Sequence, residues 1–315
     1  MTDVPAFLDS TRPNVPDLAV PRGITPFYLP DQPVRGRLIR LGPLAESILQ
    51  RHDHPAPMRA LLGQALALTA ALASALKFSG SFSVQARGDG LLPMLLADCT
   101  EAGALRGYAR MRAGAEPAAD ASAAQLLGAG YLAFTVEQGR DREPQQGIVA
   151  LEGESLAAMA EHYFATSEQL QCRVFLAAAA TPQGWRASAL VLERIAGAGG
   201  LAPDMTEETQ EEAWRTACIL AATVTPAELL DDTLNPERLL YRLFHSEGVA
   251  AERARPLSCG CRCSRARLGA ILEGFSSTDL DDMTVGEDIV MTCEFCNFDF
   301  LFPRDTLTGR PGAPA

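Results

Sequence analysis

The chain has 315 residues, 47% of them hydrophobic and 21% charged, enough apolar material for two or three globular units. Its formal charge of −12 at pH 7 argues against a broad nucleic-acid or anionic-membrane footprint, since either draws on a basic surface. The opening MTDVPAFLDSTRPNVPDLAV carries acids and prolines where a secretory leader needs a basic start and an unbroken apolar run, so a cytoplasmic protein is expected.

Residues 1–33 read as a Pro-rich N-terminal arm, and VRGRLIRLG from Val34 reads as a strand. The uncharged window from Ala60 to Leu76 is short for a membrane span and contains Gln64, Thr69 and Ser74, which predicts a buried core helix. Phe82, Val84 and Ala86 then alternate up to Gly88-Asp89-Gly90, and an apolar strand resumes at Leu91, the pattern of a hairpin. LRGYARM, YLAFTVEQG and QQGIVALEG continue as strands. SLAAMAEHYFATSEQL has helical spacing, with Leu156, Met159, His162, Tyr163 and Phe164 near one face. CRVFLAAAA and GWRASALVLERIA complete a domain at 34–196, expected to be α+β with a mostly antiparallel sheet and helices.

GAGGLAPD at 197–204 is a Gly/Pro-rich break, and beyond it the periodicity is helical, so 197–256 is expected to form a helical linker region. Thr225-Pro226 with Glu228 offers a capping box, and Asn235-Pro236 repeats the start signal. The apolar residues Leu229, Leu230, Leu239, Leu240, Leu243 and Phe244 on these short helices need another surface to pack upon.

Of eight cysteines, Cys99, Cys172 and Cys218 are scattered and read as small buried hydrophobes, while Cys259, Cys261, Cys263, Cys293 and Cys296 crowd the C-terminal region. In a reducing compartment such crowding points to metal or redox chemistry. CRC at 261–263 and the CEFC turn at 293–296, set between two short strands, match a closed tetrahedral Zn²⁺ site. The expected module, 257–303, is too small for a self-sufficient core and would take on the order of 10 kcal/mol of its stability from the metal; residues 304–315 form a tail. Arg253, Arg255, Arg262, Arg265 and Arg267 surround the first pair and would either lower its thiol pKa or balance the charge of a Zn(Cys)₄ centre.

The order CxCSR, then CxxC followed by an aromatic strand, resembles the heat shock protein 33 family of redox-regulated 33 kDa chaperones. VQARGDG with LRGYAR, GIVALEGESL, YFATSEQL and ELLDDTLNPERLLYRLFHSE agree, and the resemblance runs from about Val34 to Phe302. It implies one Zn²⁺ per chain on Cys261, Cys263, Cys293 and Cys296 in a reduced, inactive form. It implies disulfides Cys261–Cys263 and Cys293–Cys296 on oxidation, with loss of zinc. The freed protein would be an ATP-independent holdase for unfolding clients, a homodimer when oxidised. The unpartnered apolar residues between Leu229 and Phe244 are then the candidate client-binding residues, and the acidic charge leaves no membrane or nucleic-acid partner expected. Cys259 adds a fifth thiol, a spare ligand, a shuffling partner or inert; Ser264-Arg265 after Cys263 favours Cys261 and Cys263 over Cys259 and Cys261.

Two other classes compete. A zinc-ribbon nucleic-acid-binding or regulatory module is supported by the local arginines and opposed by the global acidity. An enzyme lacks its parts: no phosphate loop or nucleophile elbow is present, His52, Asp53 and His54 read as a solvated loop rather than a metal site, and Gly88 and Gly90 read as backbone geometry. No enzymatic activity is expected.

Overall fold

The computed structural model describes residues 18–139, 142–195 and 205–309. These fall into two compact units, one ending at Gly260 and one beginning at Cys261. The first opens with β1 (Ala19–Leu29), β2 (Val34–Arg40), α1 (Pro43–Leu49) and α2 (Ala56–Ala75). A run of strands follows: β3 (Ser81–Gly88), β4 (Met94–Thr100), β5 (Ala104–Arg110), then α3 (Ala123–Leu127), β6 (Gly130–Glu137) and β7 (Gln145–Ala150). Next come α4 (Leu156–Thr166), β8 (Cys172–Thr181) and β9 (Gly184–Arg194). The helices α5 (Glu207–Ala221), α6 (Pro226–Leu230) and α7 (Pro236–Phe244), with the short strands β10 (Ala250–Ala251) and β11 (Arg255–Cys259), complete the unit.

One sheet runs through it in the order β7-β6-β3-β4-β5-β11-β1-β2-β9-β8, with β10 added to β1. Every pair is antiparallel except β11 with β5, so the expected α+β class with a mostly antiparallel sheet is met. Helix α2 is the element this sheet is built around. Its apolar residues fall on all sides, which suits burial in a core rather than a one-sided surface helix. Met58, Leu62, Ala65, Leu66, Leu68 and Ala70 are fully covered, and the helix packs on β4, β8 and β9. By length and composition it is the one helix among the described residues that could cross a membrane, yet 72% of its apolar window lies buried inside the fold.

The hairpin turn shows why glycine stands at two of its positions. A Cβ on Gly88 would lie 1.9 Å from the Leu127 carbonyl oxygen and one on Gly90 2.5 Å from that of Leu126, while Asp89 Oδ1 accepts the Ala129 N–H at 2.8 Å. The motif therefore docks a neighbouring loop by close backbone approach. Its second strand begins at Met94 rather than Leu91: the Leu92 N–H donates to the Leu126 carbonyl of the docked loop, while the Leu91 and Pro93 carbonyls accept from the Arg112 and Gly88 N–H groups.

Three boundaries differ from the sequence expectation. Residues 19–29 are not part of an arm; they form β1, paired with β2 over Ile24 to Leu29. Pro21 and Pro26 concealed it, since proline ordinarily marks edges or bulges. Here the register to β11 shifts between Val20 and Ile24, which frees the chain around Pro21 from ladder bonding. Residues 205–256 are not a separate region but belong to the first unit, and 257–260 lie in its sheet rather than with the cysteines beyond. The Gly/Pro-rich break at 197–204 lies outside the described residues.

The helices α5 to α7 cover one sheet face. Trp214, Ala217, Leu229, Leu239, Leu240, Leu243 and Phe244 form an apolar cluster with Phe27, Leu29, Val34, Leu38, Leu190 and Leu192 of the strands. Phe244 stacks on Phe27 with ring centroids 5.5 Å apart. This is the surface that the apolar linker residues lacked in the sequence. Their starts are as read: Thr225 and Glu228 form a reciprocal capping box, and Asn235 Oδ1 accepts the Glu237 N–H at 2.8 Å.

The second unit contains α8 (Arg265–Leu272), α9 (Ser277–Asp282) and a hairpin of β12 (Asp288–Thr292) and β13 (Asp299–Pro303).

Candidate metal centre

Two short devices bring four sulfurs together. In the first, Cys261 and Cys263 lie on an extended segment that ends where Ser264 caps α8 by accepting the Arg267 N–H at 3.2 Å. In the second, the chain between β12 and β13 turns so tightly that the Asn297 N–H reaches the Cys293 carbonyl at 2.7 Å and the Cys293 N–H reaches the Phe298 carbonyl at 2.9 Å. Asn297 adopts φ 54°, a left-handed conformation that asparagine tolerates better than most residues. The turn aims Cys293 and Cys296 to the same side.

The four Sγ atoms lie within 4.8 Å of one another, and all four residues are buried. Cys261 and Cys263 are 3.4 Å apart, Cys263 and Cys296 3.5 Å, and Cys261 and Cys293 3.8 Å. A regular tetrahedron of thiolates about 2.3 Å from a central ion has edges of about 3.8 Å, so the spacing fits one four-coordinate ion. Among the described residues this is the only group of three or more His, Cys, Asp or Glu side chains placed to hold a metal.

The four thiols act mainly on one another. The Cys261 thiol is drawn down to about 7, chiefly by its contact with Cys263. Cys293 is held well below the ordinary thiol range, chiefly by Cys261, while Cys263 and Cys296 are pushed up, each chiefly by Cys261 as well. Four sulfurs at this spacing share their protons, and full deprotonation of all four requires positive charge between them.

Around the sulfurs the packing is thin. Leu272, Leu280, Ile289, Phe300, Phe302 and Leu307 are the buried apolar side chains of the unit, and Arg265 lies over the Phe302 ring at 4.6 Å. Arg304 ties the hairpin to α9 through Asp281 Oδ1 at 2.7 Å and Ser277 Oγ at 2.8 Å.

With this geometry established, the comparisons with known proteins identify its setting. The family model for the Hsp33 protein matches residues 23–303. The chain belongs to the Hsp33 family. The 33 kDa chaperonin of Caulobacter vibrioides (strain NA1000 / CB15N) is 39% identical over 284 residues, covering 87% of this chain and 92% of that relative. The 33 kDa chaperonin of Pseudomonas aeruginosa (strain UCBPP-PA14) is 36% identical over 278 residues, covering 88% and 90%. The crystal structure of the 33 kDa chaperonin from Thermotoga maritima, 20% identical, superposes with a TM-score of 0.72 over 90% of this chain and 96% of that one, which shows a common fold.

Within this Hsp33 chain the fifth thiol is not one of the four grouped sulfurs. Cys259 lies in β11, opposite Leu105 of β5, with its N–H donating to the Leu18 carbonyl at 3.3 Å and its side chain packed against the main core. Of the arginines near the cysteines, Arg255 donates to the Ser74 carbonyl at 2.8 Å and Arg265 lies over Phe302. His52 and His54 stack at 5.2 Å in the loop between α1 and α2, and burial pushes the His54 imidazole below its ordinary value. Of the scattered cysteines only Cys99 is fully buried; Cys172 and Cys218 are half-buried. The candidate client-binding residues Leu229, Leu239, Leu240, Leu243 and Phe244 are all covered, and Leu230 partly so.

Proposed function

We propose that this protein is a redox-regulated, ATP-independent holdase that captures unfolding proteins. Membership in a family of chaperones supports the activity, and the buried four-cysteine group is the observation that carries the regulation. In the reduced form Cys261, Cys263, Cys293 and Cys296 would hold one Zn²⁺, an ion that suits four-thiolate tetrahedral sites and stabilises small folds without redox chemistry of its own. The thiolates are also the oxidisable atoms. A two-electron oxidant such as hypochlorite or peroxide takes two electrons from each pair; two oxidant equivalents convert four thiolates to two disulfides, Cys261–Cys263 and Cys293–Cys296, and those sulfurs no longer carry the charge that retains a cation.

The second unit, with so few buried apolar side chains, then loses its main source of order. Its chain continues directly from β11 and β10, which follow α5 to α7 in the sequence. A disordered tail next to these terminal strands favours fraying of the helices that cover the sheet. Their release uncovers Phe27, Leu38 and Leu192 on the strands and Leu239, Leu243 and Phe244 on the helices, a contiguous apolar surface suited to partly unfolded polypeptide. We take the clients to be unfolding proteins, the oxidised form to be a dimer, the compartment to be cytoplasmic and the activity to be non-enzymatic.

An aggregation assay with a thermally unfolding client, run on reduced zinc-loaded and on oxidised protein while zinc release is followed in the same sample, tests this. Suppression by the oxidised sample alone, in step with metal loss, is expected. Equal suppression by both samples, or by neither, would refute it.

A further inference from the structure

Two arginines outside the metal centre hold the loop between α6 and α7. Arg40, the last residue of β2, is 7% exposed. Its guanidinium donates to the Glu228 carbonyl at 2.8 Å, to the Asp231 carbonyl at 2.9 Å and to the Leu234 carbonyl. Arg186 on β9, also 7% exposed, donates to Asp232 Oδ2 at 2.5 Å, while the Gln183 and Trp185 carbonyls, each 3.0 Å from its Nη1, fix it from behind. Asp231 in turn holds the loop in shape by accepting both the N–H and the hydroxyl of Thr233, at 2.8 and 2.6 Å.

The chemistry explains why an arginine suits this place. Helix α6 has five residues, too few to persist alone, and its last carbonyls have no partner within the helix. A planar cation with donors in a fixed fork satisfies the Glu228 carbonyl of the helix together with the Asp231 and Leu234 carbonyls that follow it, and opposes the negative end of the helix dipole. Because its partners are backbone carbonyls, Arg40 recognises the folded shape of the loop, whatever side chains the loop carries. When the loop departs, water rehydrates the guanidinium, so the closed state is favoured only by the surplus of three charge-assisted bonds over hydration. Such a contact can hold at rest and still open.

We propose that Arg40, aided by Arg186, is a latch that keeps α6 and α7 seated on the sheet and sets how readily the apolar face beneath them is released. The link from release to client capture rests on the function proposed above; the latch itself does not.

Hydrogen exchange on the full-length reduced, zinc-loaded protein tests it. In Arg40→Met, which keeps the length and loses the donors, exchange across 236–244 should accelerate by about tenfold or more while β3 keeps its protection. Arg40→Lys keeps the charge without the fork and should fall between the two. Asp232→Asn, at a half-exposed side chain, should give a smaller rise in the same segment and decides the matter should Arg40→Met fold poorly. The oxidant dose for half-maximal client capture should fall in the same rank order. Unchanged exchange at 236–244 in the folded variants, or a rise equal to that in β3, would overturn the latch. Faster exchange there without any client capture would uphold the latch and refute the proposed function.

Discussion

The two units of this Hsp33 protein are stabilised in opposite ways. The unit ending at Gly260 wraps an eleven-stranded sheet about α2 and buries a continuous core of leucine, alanine and aromatic side chains. The unit beginning at Cys261 has, among the described residues, six buried apolar side chains around four sulfurs. A core of the first kind depends chiefly on apolar burial, and its thiols, Cys99 within it and Cys172 and Cys259 against it, are not placed to share a metal. On the function proposed above, one of the second kind depends on what the sulfurs hold, so the same atoms that order it expose it to oxidants.

The largest expected effect follows from that contrast. Stripping metal from the reduced protein with a chelator should unfold residues 261–309, at a cost on the order of 10 kcal/mol to that unit, and leave β3 to β6 protected. Exchange mass spectrometry reads both regions at once; loss of protection in the sheet to the same degree would erase the distinction. Next in size is a change in the first core. Leu66 is fully buried beneath Gly107, so Leu66→Ala should cost about 2–5 kcal/mol in denaturant unfolding of the sheet unit without weakening zinc binding. Thr225→Ala removes one half of the capping box on α6 and should cost about 1 kcal/mol, read as faster exchange confined to the helices that cover the sheet.

The smallest effect concerns a thiol that the metal centre does not use. Burial, ahead of the charges of Glu161 and Glu193, pushes Cys172 up to about 12. A raised folded value favours the protonated thiol, so its contribution to stability is complete below the ordinary value of 9.0 and fades as pH rises from there towards 12. Alkylation of Cys172 should therefore be slow at pH 8 in the folded protein and speed up on unfolding. Rapid modification of the native protein at that pH would contradict its placement.

Much of this arrangement is written locally. The uniformly apolar run of α2, the capping signals at Thr225 and Asn235 and the CxxC turn each depend on a few neighbouring residues, and each can be read in the chain. What stayed hidden depends on distant partners. β11 is placed by pairing with β1 and β5, more than a hundred residues earlier, and its sequence RPLSC runs into the cysteine cluster and reads as part of it. The choice among Cys259, Cys261 and Cys263 cannot be made from alternation alone. In the fold Cys259 lies in a strand, while Cys261 and Cys263 lie beside Cys293 and Cys296. Arg40 and Arg186 lie in strands with nothing in the sequence to show that a loop of the 226–235 region would rest on them.

The central claim is that one ion orders the cysteine unit and that sulfur oxidation, by removing it, frees the helices over the sheet. Hydrogen exchange at 261–309 and 236–244, followed in one sample through an oxidant titration with bound zinc measured at each point, tests it most directly. The account predicts that protection falls in both segments in proportion to zinc lost while β3 to β6 remain protected. Zinc fully released with 236–244 as protected as in the reduced protein would contradict it.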